Sequence, residues 1–283
     1  MDTLKNKIDF AVLVTVKNAN PNGDPLNGNR PRTNYNGLGE ISDVCIKRKI
    51  RNRLQDMGER IFVQSDERCD DGFKCLSERA TKTNTDYASK DEYAQKACET
   101  WFDVRAFGQV FAFKSTDKNK DGVSVGVRGP VTLHQAVSIS PVDINSMQIT
   151  KSVNSEPAEK KSSDTMGTKH MVEFGLYVIK GSINVQLAEK TGFTDADAEK
   201  IKECLRTLFI NDCSAARPDG SMEVVTVYWW KHNNKIGQYS SAKVHASLCI
   251  AAKPGTAYPA SIDDYEITQQ ALEGLAPEIV DGI

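Results

Sequence analysis

The chain has 283 residues and contains no apolar run that approaches the roughly 20 residues needed to cross a bilayer. Its first residues also lack a charged segment followed by an apolar core and a cleavage site, which a secretory signal would have. Hydrophobic residues make up 39% of the sequence and charged residues 26%, as is typical of a soluble globular protein. We therefore expect a cytoplasmic protein that does not contact membranes.

Signatures of metal and nucleotide sites are also missing. The seven cysteines are irregularly spaced and form no CxxC pair, and the four histidines are scattered without a neighbouring nucleophile. There is no GxxxxGK[ST] motif, which excludes a P-loop, and the acidic residues form no close pattern typical of a two-metal nuclease. The sequence therefore predicts reduced cysteines, no metal and no cofactor.

One histidine leaves a catalytic alternative open. His170 follows Lys169 in a polar segment, where an imidazole can act as general base for RNA cleavage by 2′-hydroxyl attack. No partner for this histidine is evident in the sequence. The prediction is accordingly a protein that is not an enzyme, with an endoribonuclease as the alternative.

The charge is nearly balanced but unevenly distributed. The net charge of −2 and the pI near 6.1 argue against a free-standing basic domain that binds nucleic acid tightly. Residues 44–53, however, hold five basic side chains and no acidic one, whereas residues 69–99 are rich in Asp and Glu. A polarised surface of this kind can bind a phosphate backbone in one groove or present complementary patches to identical neighbours.

The apolar periodicity outlines the fold. Residues 8–16 predict a strand, residues 42–57 a helix that begins at Ser42, and the segment after Thr194 a second strong helix. The remaining predictions are strands at 60–64, 122–142, 171–187, 223–230 and 242–252, a partly helical insertion at 65–97 and a short helix at 266–275. This order fits the split β-α-β motif of an α+β, ferredoxin-like fold, which RNA-recognition modules share.

An asparagine-rich loop follows the first strand. Residues 18–36 contain seven asparagines and three prolines, together with Arg30 and Arg32. Asparagine side chains, backbone amides near glycines and guanidinium groups can hold a sugar-phosphate chain without reading its bases. A purely structural turn is equally compatible with this composition.

The helix after this loop has an apolar stripe with basic flanks. The stripe consists of Ile46, Ile50, Leu54 and Met57. Lys47, Arg48 and Arg51 occupy a contiguous sector beside and opposite it. A solvated helix face usually mixes charge signs, so the lack of acidic residues among these side chains favours a face that follows phosphates.

Two aromatic clusters are interpreted as core. Residues 105–113 only partly match the RNA-stacking motif of RNA-recognition modules, because Gln109 and Ala112 stand where aromatic residues are expected. The aromatic run at residues 228–230 has the chemistry to stack on bases. We expect at least two of its three side chains to fill the core of a strand instead.

Several blocks of sequence resemble one known family. They are NPNGDP, GNRPRT, SDVCIKRKIR, FDVRAFGQVF, VRGPVTLHQAVSISPV, TMGTKHMVEFGLYV and YSSAKVHASL, spread in this order over residues 9–253. Together they resemble the guide-RNA-binding backbone subunit of type I CRISPR interference complexes (Cascade), closest to subtype I-C. This subunit belongs to the repeat-associated mysterious protein (RAMP) superfamily.

The resemblance implies a modified RNA-recognition fold likened to a hand, with a palm, helical fingers and a thumb hairpin. The implied division is palm at 1–64, finger insertion at 65–104, palm and web strands at 105–146, thumb at 147–170, second palm part at 171–253 and tail at 254–283. Lys47 and Arg48 match the basic pair of the family's first palm helix, and Ser42 matches its start. Met166 and Lys169 fall in the thumb, near displaced guide bases.

The residues predicted to bind RNA combine this resemblance with the loop and charge patterns. They are Asn20, Asn22, Arg30, Arg32, Ser42, Lys47, Arg48, Arg51, Arg128, Met166, Lys169 and His170.

The resemblance also implies a function and partners. It implies a non-catalytic scaffold that binds the spacer of guide RNA along its backbone, polymerises helically with copies of itself and presents the guide to invading target DNA. Further implied partners are the guide-processing subunit at the 5′ handle, the large and small Cascade subunits and, indirectly, a recruited helicase-nuclease. The alternatives are a RAMP-type endoribonuclease with His170 as general base, and a lone module that binds single-stranded RNA without sequence preference.

Overall fold

The computed structural model describes residues 2–113, 123–153, 157 and 166–283. In this part of the chain the helices are α1 (Asp43–Asp56), α2 (Leu76–Thr83), α3 (Lys90–Thr100), α4 (Phe102–Phe107), α5 (Val185–Thr191), α6 (Asp195–Arg206) and α7 (Ser241–Ala246). The strands are β1 (Ile8–Ala19), β2 (Gly23–Asp24), β3 (Arg30–Pro31), β4 (Leu38–Ile41), β5 (Gly108–Phe113), β6 (Val123–Arg128), β7 (Val131–Leu133), β8 (Ala136–Pro141), β9 (Ile144–Thr150), β10 (Met166–Ile183), β11 (Met222–Lys231), β12 (Leu248–Ala252), β13 (Tyr265–Gln269) and β14 (Glu278–Asp281).

A large antiparallel sheet organises these elements into a mixed α/β fold. In the described residues its strand order is β14-β11-β1-β10-β8-β4, and β7 and β9 also pair with β10. The central strand β1 lies between β10 and β11, with Phe10 opposite both Gly181 and Trp229. A Cβ atom at Gly181 would lie 2.3 Å from the Phe10 ring, so the close approach of this ring to β10 requires glycine.

Successive side chains of β1 point to opposite faces of the sheet and so belong to two separate cores. One core packs the sheet against α1, α5 and α6, and its members from β1 include Phe10, Val12, Val14 and Val16. The other core packs Ala11 and Leu13 under α7, β12 and the following segment. A third cluster, which includes Phe62, Tyr93, Trp101 and Phe111, lies in the region of the predicted helical insertion.

The strongest sequence signals are confirmed. Strand β1 covers the predicted residues 8–16, and α1 begins after Ser42, whose Oγ accepts a hydrogen bond from the Cys45 amide at 3.2 Å. Helix α6 begins after Thr194, which forms a reciprocal capping box with Asp197. The aromatic run at residues 228–230 is buried, which confirms its interpretation as core.

Two predicted strands are wrong in whole or in part. Residues 60–64 form no strand, because the amides of Phe62 and Val63 donate instead to the Asp103 carboxylate at 2.7 and 3.1 Å. The strand predicted at 171–187 ends at Ile183, since the Asn184 side chain caps α5 by accepting from the Leu187 amide.

The C-terminal predictions are also corrected. The strand predicted at 242–252 is divided into α7, which Ser240 caps, and β12. The helix predicted at 266–275 is wrong, since its first residues form β13, which pairs with β12 over its whole length. Pairing with a neighbouring strand outweighs weak local helix propensity here.

A buried polar network joins the start of β1 to the segment that follows β11. Asp9 Oδ2 accepts from Lys7 Nζ and His232 Nε2, each at 2.9 Å, and His232 Nδ1 accepts from the Gln238 amide at 3.0 Å. Burial by itself would raise the pKa of Asp9, but hydrogen bonds, led by that from His232, outweigh it and lower the pKa. The network therefore favours the ionised carboxylate in the folded protein.

This network makes stability depend on acid pH. A lowered folded-state pKa contributes stability above pH ~4, where Asp ionises in the unfolded chain, and this contribution is lost as the pH falls through the folded value. We expect Asp9→Asn to destabilise the protein at neutral pH by about 3–5 kcal/mol, because it breaks a buried ion pair. Urea unfolding midpoints measured between about pH 6 and pH 2 should fall less with acid in the variant than in the wild type; parallel pH profiles would contradict this role.

None of the helices in the described ranges combines the length and the hydrophobicity that a membrane-spanning segment requires.

Candidate nucleic-acid interface

The asparagine-rich loop is a folded element. Strands β2 and β3 form a small hairpin within it, and the Asn20 side-chain amide donates to the Asn29 carbonyl at 2.6 Å. A Cβ atom at Gly23 would lie only 2.0 Å from the Asn29 side chain, so close packing across the hairpin requires glycine there. The loop therefore presents its arginines from a defined backbone.

The two predicted asparagines position this loop. Asn20 is only 4% exposed, and Asn22 Oδ1 accepts from the Ser42 amide at 2.9 Å at the start of α1. Asn20 is among the residues predicted to bind RNA, and in the folded chain its buried side chain hydrogen-bonds within the loop itself. Ser42 in turn caps α1, so Asn22 and Ser42 together fix the loop against the helix.

The basic residues of α1 have partners, contrary to the interpretation of an unpaired basic face. Lys47 Nζ pairs with Asp43 at 2.9 Å, Arg51 Nε with Asp103 at 2.8 Å, and Lys49, only 4% exposed, with Asp212. Two of these three carboxylates come from segments distant in sequence, so the local charge pattern could not reveal them. The Lys47 side chain remains 25% exposed, whereas those of Lys49 and Arg51 are 4% and 12% exposed.

Arg48 is partly withdrawn from solvent. Its Nη1 donates to the Val63 carbonyl at 2.7 Å. Burial lowers the pKa of the Arg48 guanidinium and the neighbouring Arg51 lowers it further, while Asp103 acts in the opposite direction. Arg51 also lies over the Phe107 ring, at 5.2 Å from its centroid. These contacts attach α1 to the segments on either side of the helical insertion.

A continuous polar contact connects the loop to a long hairpin. Arg30 Nη1 donates to Ser146 Oγ at 2.8 Å, and Ser146 Oγ lies 2.8 Å from His170 Nδ1. Ser146 and His170 face each other across the β9-β10 pair. The structure thus brings together two predicted residues, Arg30 and His170, that are far apart in sequence.

The hairpin itself is exposed. Strand β9 has no buried residue, and Ile149 and Met166 are 51% and 60% exposed. Lys169 pairs with Met147, and Gln148 Nε2 lies 3.7 Å from Met166 Sδ. The resemblance places the thumb at 147–170, and within these bounds β9 and β10 pair as two antiparallel strands; residues 154–156 and 158–165 lie outside the described ranges. Exposed apolar side chains on such a ribbon are typical of an interaction surface.

Two further predicted residues take no part in the contact of Ser146 with Arg30 and His170. Arg32 forms an ion pair within the loop, and Arg128 lies on another ribbon. Arg32 is within 3.5 Å of Asp24, and its Nε is excluded from solvent without a hydrogen-bond acceptor. Arg128 is exposed at the end of β6, opposite Gly108 on the separate β5-β6 ribbon.

Sequence reasoning missed Arg217. The Asn20 amide donates to the Ala216 carbonyl at 2.8 Å, which holds residues 213–217 against the asparagine-rich loop. Arg217 forms an ion pair with Asp212, the residue that also pairs with Lys49. The only signal in the sequence is an arginine in the turn-forming stretch ARPDG, which carries no information on its neighbours in space.

A cavity of about 720 Å³ lies between β8, β10 and β12. Val137, Ile139, Val178 and Leu248 are among its lining residues, and the described lining contains no Phe, Tyr or Trp on which a base could stack. Val178 belongs to the core on the sheet face opposite α1. The cavity is therefore separate from the candidate interface.

Comparisons with known proteins give a consistent result. The family described as CRISPR-associated protein Cas7 matches residues 6–270 of the chain. A curated Cas7 protein of Haloferax volcanii is 26% identical over 222 residues, which cover 73% of this chain; the match spans 65% of that protein's length.

Solved structures are similar in fold. A chain of a "CRISPR RNA-guided surveillance complex, pre-nicking" has a TM-score of 0.50 at 15% identity and covers 89% of this chain and 84% of its own. A chain of another "CRISPR RNA-guided surveillance complex" has a TM-score of 0.43 at 17% identity, with 79% and 68% covered. At 15% identity, the similarity to the first of these structures supports the fold alone.

Proposed function

Because this chain belongs to the Cas7 family of CRISPR-associated proteins, we propose that it is a non-enzymatic scaffold that binds guide RNA along its backbone. It polymerises helically on the spacer with copies of itself and presents the guide for pairing with target DNA in an interference complex. The sequence blocks favour subtype I-C within type I.

The observation that carries this proposal is the pair of hydrogen bonds by which Ser146 links Arg30 to His170. It makes one continuous polar surface from the asparagine-rich loop to the base of the exposed hairpin. Guanidinium, imidazole and hydroxyl groups suit phosphate and sugar oxygens, which are the same for every guide sequence. A protein that must hold any guide needs contacts of this kind.

The topology supports assignment of a palm. Taken alone, β11-β1-β10-β8 with α1 and α6 between the strands has the order 4-1-3-2 of the split β-α-β motif, with every neighbouring pair antiparallel. We assign this unit to an RNA-recognition-like palm, residues 65–104 to the fingers and the β9-β10 hairpin to the thumb. The residue boundaries given for these parts above belong to the same proposal.

The exposed hairpin supports contact with further copies of the chain. Its apolar side chains Met147, Ile149 and Met166 are 42%, 51% and 60% exposed, and a modest net charge avoids strong repulsion between identical neighbours. The guide-processing, large and small subunits, and indirectly a helicase-nuclease, complete the proposed partners.

Two histidines contact other side chains of this chain. His232 holds Asp9 in the core, and His170 contacts Ser146, which Arg30 already engages. In the described residues no group of three His, Cys, Asp or Glu side chains is arranged to hold a metal ion.

The test is co-expression of the full chain with a guide RNA, followed by nuclease digestion of the purified complex. We expect protected fragments in a periodic ladder whose length increases with the number of subunits, and an RNA affinity that falls steeply with salt because phosphate contacts release counterions. Absence of protected RNA from folded protein would contradict the proposal. RNA cleavage by the wild type that disappears in His170→Ala would establish the endoribonuclease instead.

A further inference from the structure

Three cationic side chains from separate segments converge around Cys45, in the first turn of α1. They are Arg32 of the asparagine-rich loop, Lys49 of α1 and Arg217 of the 213–217 turn. Burial raises the pKa of the Cys45 thiol, and the charges of Lys49, Arg217 and Arg32 act in the opposite direction, which reflects their proximity. Like charges brought together in a partly buried place repel one another unless anions compensate them.

The local carboxylates leave this group incompletely neutralised. Asp212 serves both Lys49 and Arg217, at 3.4 Å from the latter, and Asp24 lies 3.5 Å from Arg32. Two carboxylates thus face three cations, and one positive charge remains. This remainder matches the single negative charge of one phosphodiester.

The two arginines also remain accessible to a ligand. Their side chains are 39% and 29% exposed, and their ion pairs with Asp24 and Asp212 have distances of 3.5 and 3.4 Å. A guanidinium group has five N–H donors, and one carboxylate contact does not use them all. Guanidinium groups are the preferred partners of phosphate because their planar donors match its oxygens.

The backbone holds both arginines in place. Ser214 and Arg217 exchange two backbone hydrogen bonds of 2.8 and 3.0 Å, and Asn20 donates to Ala216 from the loop that also carries Arg32. The Arg32 amide donates to the Asn22 carbonyl at 3.1 Å. Because these segments are already fixed, little ordering is required when an anion binds.

From this arrangement we propose that Arg32 and Arg217, beside Cys45, bind one phosphate of a single-stranded RNA. Lys49 favours this binding because it shares the carboxylate of Asp212 with Arg217. The inference deepens the proposed function and rests on it for the identity of the ligand. It adds Arg217, a residue outside the sequence-derived set, and gives Arg32 a second arginine with which to bind the phosphate.

The test is binding of the full chain to single-stranded oligouridylate and oligoadenylate. Arg217→Gln should weaken both by about tenfold, as expected for one charge-assisted contact, and should lower the salt slope of log K by about 0.7. Arg206→Gln is the matched control, since Arg206 is also ion-paired, with Glu203 on α6, and should change neither quantity. Thermal unfolding of each variant checks the fold. If the glutamine variant is unstable, Arg217→Lys replaces it in the binding experiment, since it keeps a cation beside Asp212 but lacks the planar guanidinium donors.

A second readout reports the site directly. Alkylation of Cys45, followed by mass spectrometry of its peptide, should be slower when oligouridylate is bound to the wild type. Unchanged affinity and salt slope in Arg217→Gln, with normal binding by the wild type, would overturn this site and leave the proposed function standing. Failure of the wild-type chain to bind any RNA would overturn the proposed function itself.

Discussion

Replacement of residues 148–168 by an Asn-Gly turn is expected to give a stable protein that no longer forms ordered assemblies on RNA. Met147 and Lys169 are directly opposite each other in the β9-β10 register, so a two-residue turn can join them without a change of pairing. The excised part includes exposed apolar side chains, among them Ile149 and Met166, and no described buried residue. Its loss should therefore remove the contact with the next copy and leave the core intact.

Two measurements check this expectation. The midpoint of thermal unfolding should stay within a few degrees of the wild type, as for changes at exposed positions. Electron microscopy or sedimentation with guide RNA should show single subunits where the wild type forms filaments. The double variant Ile149→Ser and Met166→Ser is the milder control and should weaken assembly without abolishing it. Normal filaments from the shortened chain would mean that copies meet through another surface.

Reversal of charge at Arg30 and Lys47 is expected to reduce RNA affinity at least a hundredfold. Arg30 connects the loop to the hairpin, and Lys47 is the partly exposed cation of α1, so glutamates at both positions place negative charge against the phosphate path. Like charges brought together in an interface cost several kilocalories per mole, and each 1.4 kcal/mol is about a factor of ten in affinity.

A matched pair of substitutions controls for the change in net charge. Lys231→Glu with Lys235→Glu alters the charge by the same amount at two exposed lysines that pair with Asp195 and Glu189. Filter binding or fluorescence anisotropy with oligouridylate should give near wild-type affinity for this control, whose exposed ion pairs contribute little to stability. Equal losses in the two double variants would indicate a non-specific charge effect and contradict the assigned interface.

Elements specified by local sequence signals were predictable, and elements that depend on distant contacts were not. Strand β1 and the start of helix α1 were predictable because an apolar alternation and an N-cap serine are local signals. The division of residues 242–252 into α7 and β12 was not, because it depends on pairing with β13, a segment for which the local pattern suggested a helix.

The same limit applies to the candidate interface. The arginines of the loop were selected from its composition. In the folded chain Arg30 and His170 both contact Ser146 at the hairpin. The carboxylate partners of the basic helix were not predictable, because Asp103 and Asp212 approach it from distant parts of the chain. Arg217 was missed for the complementary reason: its proximity to Cys45 and Asp212 exists only in the folded chain.

The carboxylate of Asp103 has a consequence for protein engineering. It accepts the amides of Phe62 and Val63, which precede α2 and α3, and it lies in α4, which follows them. The two ends of the segment that carries α2 and α3 are therefore linked to each other and to Arg51 of α1. Segments whose ends meet tolerate exchange. A foreign sequence could be grafted between residues 64 and 101 without a shift of α1, provided that it shields the aromatic side chains of Phe62 and Trp101 from water.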